Sequence, residues 1–354
     1  MTPNQPQTRY QSRKSRAQPG SRHRGVGLGL AMLLGACQGN PARLLAQVPQ
    51  PAPSPVSGET TEAVTPAQLT TQWVVSPAQA RYLIEQGALV LDGRDRPLRQ
   101  REPIPGAIAI RWQDFSEPTD PHQGQLLADD AALTQRLRAI GVSGSQPAVV
   151  VGDPVNGWGQ DGRVVWMLRS LGHRQAVLVD GGAAALRQTG LSLAPTGPAR
   201  LGAGPPPGDF VVHRTSQWEI SQADLRRALD THTLVIVDAR ERREFEGAVP
   251  YGERRGGHIP GAIQLYYKEL MDSEGRLLPR PAIAALLQAR GIATDAVVVS
   301  YCTGGVRSGW LTTVLVDLGF EAKNYAGSMW EWSAGDPEDY PLVLPAEPNP
   351  GRTP

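Results

Sequence analysis

The residues best placed to do chemistry are Cys302-Thr303-Gly304-Gly305-Val306-Arg307-Ser308, which follow the run Val297-Val298-Val299-Ser300-Tyr301. The Val-rich run, bounded by turn residues, predicts a buried parallel strand. Beyond the loop, Trp310, Leu311, Val314, Leu315 and Leu318 recur at helical spacing, and Gly319 stands where a helix would be capped. Ligands in open α/β sheets bind where strands end and helices begin, and Cys302 falls at that junction. Gly304 and Gly305 can take positive φ, so the N–H groups of Thr303, Gly304, Gly305, Val306 and Arg307 can converge on an anion, with Ser308 closing the loop. The helix N-terminus adds partial positive charge and Arg307 a full one. All of these favour thiolate over thiol at Cys302. A buried cysteine alone would read as a small core residue; the Gly-Gly and the arginine turn the reading towards a nucleophile.

Two halves of the chain must position this loop. Leu89-Val90-Leu91-Asp92-Gly93-Arg94 matches Val235-Ile236-Val237-Asp238-Ala239-Arg240, Pro105-Gly106-Ala107-Ile108 matches Pro260-Gly261-Ala262-Ile263, and Val149-Val150-Val151 matches Val297-Val298-Val299. The offset stays near 150 residues, which reads as an internal duplication. Each half alternates strand and helix patterns, so the expected fold is α/β: two tandem domains, each a small parallel sheet with helices on both faces. The expected boundaries are 67–196 and 213–346, with a Pro/Gly-rich linker at 197–212 and a tail at 347–354. Asp92 with Arg94 reads as a structural pair; Asp238 with Arg240 reads equally as structure or as substrate contact. No cysteine follows Val151, and Asp153 or Pro154 is expected in its place. The first half would then bury one face of the second and wall its cleft. The second half carries an insertion, Glu246 to Gly257, with Tyr251, Glu253, Arg254 and Arg255. It is either a solvated loop or a lip over the cleft, in which case Arg254 and Arg255 would touch substrate. Trp330, Glu331 and Trp332 read as packing.

The chain has 354 residues, a net charge of +1 and two cysteines, Cys37 and Cys302. Balanced charge shows no nucleic-acid footprint. Two cysteines exclude a disulfide framework, and no Cys/His cluster has zinc-site spacing. Residues 1 to 24 are basic and without acids, and Gly25 to Ala36 is an apolar run too short to span a membrane. The run ends in Leu34-Gly35-Ala36-Cys37, which resembles a bacterial lipoprotein signal. That implies removal of 1–36, lipidation of Cys37 and a place in the cell envelope, anchored by lipid; an ordinary signal peptide would make the protein periplasmic. Residues 37–66, rich in Pro, Gln, Ala, Ser and Thr, read as a disordered tether.

Taken together, Cys302 to Ser308, Asp238-Ala239-Arg240 with Glu244-Phe245, Gly257-His258-Ile259-Pro260-Gly261-Ala262, and Tyr325-Ala326-Gly327-Ser328 with Glu331-Trp332 resemble the tandem-domain rhodanese family, the thiosulfate and 3-mercaptopyruvate sulfurtransferases. The likeness runs from about Ser76 to Pro345. It implies two rhodanese-like domains and a Cys302 persulfide that takes sulfur from a small donor and yields it to cyanide or a thiol. It implies neither metal nor organic cofactor, no nucleic-acid partner, and membrane contact through the lipid alone. The chain departs from the family's pattern at Met329, where a Trp is usual, and at Ala184, where an Arg often stands. The loop matches neither donor signature fully; Arg307, expected to orient the donor's anionic end, inclines the reading to thiosulfate. A phosphatase-like or arsenate-reducing enzyme would use a Cys-x5-Arg loop, whereas four residues separate Cys302 from Arg307. A non-turnover sulfur carrier remains the other alternative.

Overall fold

Short runs rich in Val, Leu and Ile build the central strands of the molecule. The structure, a computed structural model, describes residues 63–191, 205–231 and 233–344. The first half runs α1 (Pro66–Leu69), β1 (Val74–Val75), α2 (Pro77–Glu85), β2 (Leu89–Asp92), α3 (Arg96–Arg101), β3 (Ile108–Ala109), α4 (Asp130–Ala139), β4 (Ala148–Val151), α5 (Gln160–Ser170), β5 (Ala176–Val179) and α6 (Gly182–Gln188). The second runs α7 (Gln222–Thr231), β6 (Val235–Asp238), α8 (Arg242–Phe245), β7 (Ile263–Gln264), α9 (Arg280–Ala289), β8 (Val297–Tyr301), α10 (Val306–Asp317), β9 (Glu321–Asn324) and α11 (Ser328–Trp332). One sheet has the order β1-β5-β4-β2-β3 and the other β7-β6-β8-β9. Read from β3 and from β7, the shared strands follow the same order, and all pairings within the sheets are parallel. Helices cover both faces, so β4 is buried throughout.

The register corrects one expectation. Asp92 pairs with Val151 as Asp238 pairs with Tyr301. The residue equivalent to Cys302 is therefore Gly152, not Asp153 or Pro154. A Cβ at Gly152 would strike the Asp161 carboxylate. A buried carboxylate fills the space that a side chain here would need.

The halves share one apolar core. Leu133, Trp166 and Leu168 of the first half lie in the same buried cluster as Val237, Trp310 and Leu315 of the second. Helices α5 and α10 cross at Gly162, where an added Cβ would lie 2.5 Å from Trp310 Cα. Thr313 Oγ1 donates to the Gly162 carbonyl at 3.0 Å across the same contact. The Asp317 carboxylate accepts from Trp73 N at 2.8 Å and Val74 N at 2.9 Å, tying α10 to the first sheet.

Ordered structure also reaches into segments expected to be loose. Val64 is buried and Thr65 caps α1, so the tether ends before Val64. Of the expected linker, Phe210 and Val212 are buried, and Phe210 N donates to Val142 O at 3.2 Å. Apolar side chains within a Pro/Gly-rich stretch were enough to dock it. The signal, Cys37, most of the tether and the tail lie outside the described residues.

Gly162→Ala should lower stability by roughly 1–3 kcal/mol, because the α10 backbone cannot retreat without opening the core. Gly144→Ala, where nothing lies within 4 Å, serves as the control. Thermal unfolding of both variants checks this; equal Tm values would show that the helix crossing is not limiting.

Candidate active site

Strand β8 delivers Cys302 to the C-terminal edge of the second sheet, and α10 begins four residues later. Gly305 supplies the turn, with φ 76° and ψ 6° in the left-handed region. Side chains at Gly304 or Gly305 would strike the Trp330 ring or the Ala326 carbonyl. The first residues of α11 clamp the loop from behind. Ser328 Oγ accepts from Cys302 N at 3.0 Å, Met329 N donates to Cys302 O at 3.1 Å, and Trp330 N donates to Thr303 O at 2.9 Å. Ser328 holds a positive φ of 52°, unusual outside glycine.

Cys302 is 1% exposed and is the one cysteine among the described residues. Burial alone would raise its pKa. The Arg307 charge, the Ser308 hydroxyl at 3.5 Å and the N–H groups of Ser308 and Gly304 outweigh that, so the thiol titrates below its ordinary range. The sulfur, its thiolate form favoured by these partners, lines a cavity of about 360 Å³. Trp112, Trp158, Tyr251 and Trp330 line it, together with Asp95 and Gln160.

Arg307 is not the free cation the sequence led us to expect. Its guanidinium grips Glu244 of α8 in a fork, Nη1 to Oε2 at 2.6 Å and Nη2 to Oε1 at 2.7 Å. Nη2 also donates to Thr303 Oγ1 at 2.8 Å. Both side chains are buried, and the Trp158 and Tyr251 rings lie 5.5 and 5.7 Å from the guanidinium carbon. Burial opposes ionisation of Glu244, but the fork from Arg307 prevails and holds its pKa below the usual carboxylate range.

The other expected contacts fall away from the cavity. Asp238 and Arg240 are fully buried and paired at 2.6 Å, with Arg240 Nη2 donating to Gly257 O at 2.7 Å. Asp92 and Arg94 repeat this pair at 2.7 Å. Both pairs hold the loop after their strand to the next segment, and neither arginine lines the cavity over Cys302. Arg255 spends its donors on the carbonyls of Trp332, Ser333, Gly335 and Tyr340. Arg254 pairs with Asp120 of the first half at 2.7 Å on the surface. The insertion nonetheless reaches the site through other residues. Tyr251 walls the cavity, and Glu253 accepts from Tyr251 N at 2.9 Å and lies 3.1 Å from the Thr303 hydroxyl.

These observations meet the comparisons with known proteins. A model of the rhodanese-like domain matches residues 221–335. A probable 3-mercaptopyruvate sulfurtransferase of Pseudomonas aeruginosa is 33% identical, over 74% of this chain and 94% of that one. A thiosulfate sulfurtransferase of Azotobacter vinelandii is 30% identical, over 77% and 97%. The chain belongs to the rhodanese family. It is a sulfurtransferase. Among solved structures, the 3-mercaptopyruvate sulfurtransferase of Leishmania major matches with a TM-score of 0.62 at 24% identity, over 75% of each chain. The Tum1 protein of Saccharomyces cerevisiae matches with 0.64 at 18%, over 77% of this chain and 98% of that one. Both likenesses show the fold.

What this rhodanese-family chain adds from its cysteine-free half is Arg163, which the sequence reading missed. It is fully buried on α5, with Nη1 donating to Gly305 O at 3.2 Å and Nη2 to Gly124 O at 2.7 Å. Its guanidinium sits 4.5 Å from the Trp166 ring. It makes no salt bridge to a described residue. Burial lowers its pKa to about 10 against the opposing pull of Cys302 and Glu219, so it stays charged at neutral pH. The signal was there: an arginine directly before the apolar run Val164-Val165-Trp166-Met167-Leu168 is expensive to bury unless it is matched.

Arg163→Met should slow alkylation of Cys302 by iodoacetamide at neutral pH by about three- to tenfold, because a cation near the thiolate is lost. Arg163→Lys, which keeps charge but not the fork, should fall between; unchanged alkylation in both would limit Arg163 to packing. A second test uses Asp161, whose pKa burial raises to about 6. A raised carboxylate pKa means the charged form opposes folding above pH 6, and that cost fades as pH falls through 6 towards 4. Asp161→Asn should therefore be more stable than wild type at pH 8, by up to about 3 kcal/mol. The gap should close by about pH 4. Denaturant unfolding across that range checks the sign.

Proposed function

We propose that Cys302 is the nucleophile of a ping-pong sulfur transfer. The observation that carries this is the thiolate-favouring environment of a buried cysteine that lines an aromatic-walled cavity. The thiolate attacks the outer sulfur of the donor. With thiosulfate, the S–S bond breaks and sulfite leaves with the electron pair. With 3-mercaptopyruvate, the C–S bond breaks, the pair passes to the enolate, and the thiol proton ends on carbon to give pyruvate. Either route leaves a Cys302 persulfide, whose charge the Gly304 and Ser308 N–H groups and the Arg307 guanidinium can stabilise. A thiol or cyanide then takes the outer sulfur and returns the thiolate.

The charge that inclined the sequence reading to thiosulfate is already matched by Glu244. A singly charged organic donor fits the aromatic walls better than a dianion, so 3-mercaptopyruvate is the preferred donor in this reading. A phosphate or arsenate clamp would need an unpaired guanidinium in the cavity, and that of Arg307 is already paired with Glu244. Export and a lipid anchor at Cys37 belong to the same proposal and rest on the sequence of residues 1–37.

Incubation with each donor should add one sulfur to the intact mass, faster for 3-mercaptopyruvate. Cys302→Ser should keep the Tm and lose transfer to cyanide by on the order of a thousandfold or more. Turnover surviving in that variant would sink the assignment. A persulfide that forms but discharges slowly to every acceptor would instead favour a sulfur carrier.

A further inference from the structure

Glu331 reads as packing in the sequence, yet its carboxylate is buried among polar partners. It belongs to α11, whose first residues hold the Cys302 loop through Ser328 Oγ, Met329 N and Trp330 N. The residue is 6% exposed, and no lysine or arginine pairs with it among the described residues. Burial pushes its pKa up, against the pull of Tyr325, His122 and Gln125. A buried carboxylate so weakly matched is costly where an apolar side chain would pack as well.

Two of its partners come from the other half. Oε1 accepts from Gln125 Nε2 at 2.5 Å, and His122 Nδ1 lies 3.5 Å away. Gly124, between those two residues in the chain, is buried against the reactive loop. A Cβ there would strike the Ala326 carbonyl and lie 3.1 Å from Gly304 C and O. The Gly124 carbonyl accepts from Arg163, which also donates to Gly305 O. Segment 122–125 therefore meets the sulfur loop directly at Gly124, and meets α11, which holds the same loop, through Glu331.

We infer that Glu331 is a positioning residue for sulfur transfer: the hydrogen bond it accepts from Gln125 locks α11 to the first half and so fixes the Cys302 loop between them. This rests on the reading of Cys302 as the nucleophile. Glu331 is not among the residues that line the cavity, so it acts through the loop and not on substrate. The loop supplies the Gly304 and Ser308 N–H groups that favour the thiolate. A misplacement of such groups by about 1 Å can cost on the order of a hundredfold in rate.

The test compares Glu331→Met, which keeps the length and loses the acceptor, with Glu331→Gln, which keeps an acceptor, in the full-length protein. The readouts are kcat and KM for transfer from the faster donor to cyanide, the rate of Cys302 alkylation by iodoacetamide, and Tm. Glu331→Met should lower kcat by about ten- to hundredfold, hold the donor KM within about twofold, and slow alkylation. Glu331→Gln should keep most of both rates. Gln125→Ala should lower kcat in the wild-type background and add little to Glu331→Met, because the two residues share one contact. A folded Glu331→Met with wild-type kcat, a Glu331→Gln as slow as Glu331→Met, or losses at 125 and 331 that simply add would overturn the inference and leave the persulfide mechanism standing. If Glu331→Met does not fold, Gln125→Ala decides alone, and an unchanged kcat overturns it. Failure of every donor to form a persulfide on the wild-type protein would overturn both the nucleophile reading and the inference.

Discussion

A sulfur anion with almost no solvent contact must be compensated by the protein, and that need organises this molecule. Cys302 is 1% exposed. Left alone, burial would hold it as an inert thiol. The compensation comes in layers: N–H groups of a glycine-shaped loop, the start of α10, and Arg307 from the first turn of that helix. Arg307 in turn would be a costly buried charge without the fork to Glu244. Glu244 sits on a short helix right after the Asp238–Arg240 pair, so the charge network reaches back to the end of β6.

The second half cannot complete this arrangement by itself. Arg163 crosses from α5 to the Gly305 carbonyl, and Gly124 lies close enough to Ala326 that no side chain could stand there. The half without a cysteine supplies a buried cation, the Trp112 and Trp158 walls and the apolar face under Trp310. Its own pseudo-site is closed, with Gly152 where the cysteine would be and the Asp161 carboxyl in the space beside it. That half has the same strand order without a cysteine, and it meets the other by packing and charge.

Much was legible in the chain. The Val-rich strands, the glycines at turns, the loop beginning at Cys302 and the doubling near 150 residues are local patterns, and local patterns survive folding because they reflect backbone geometry and apolar periodicity. The α/β class followed from them, and so did the strand, turn and helix around Cys302. Docking of Phe210 and Val212 did not, because proline and glycine masked two buried apolar side chains in the expected linker.

Partnership was decided by the tertiary structure. A sequence shows that Arg307 is positive but not that Glu244, 63 positions away, cancels it. It shows Arg254 and Arg255 together but not that Asp120 pairs with the first and carbonyls of 332–340 accept from the second. It places Arg163 in an apolar helix, 142 positions from the Gly305 carbonyl it meets. Strand, turn and loop propensities act over a few residues and are written in order along the chain. Charge compensation acts through space at a few ångströms, so the electrostatics of this site exist only once both halves have closed on each other.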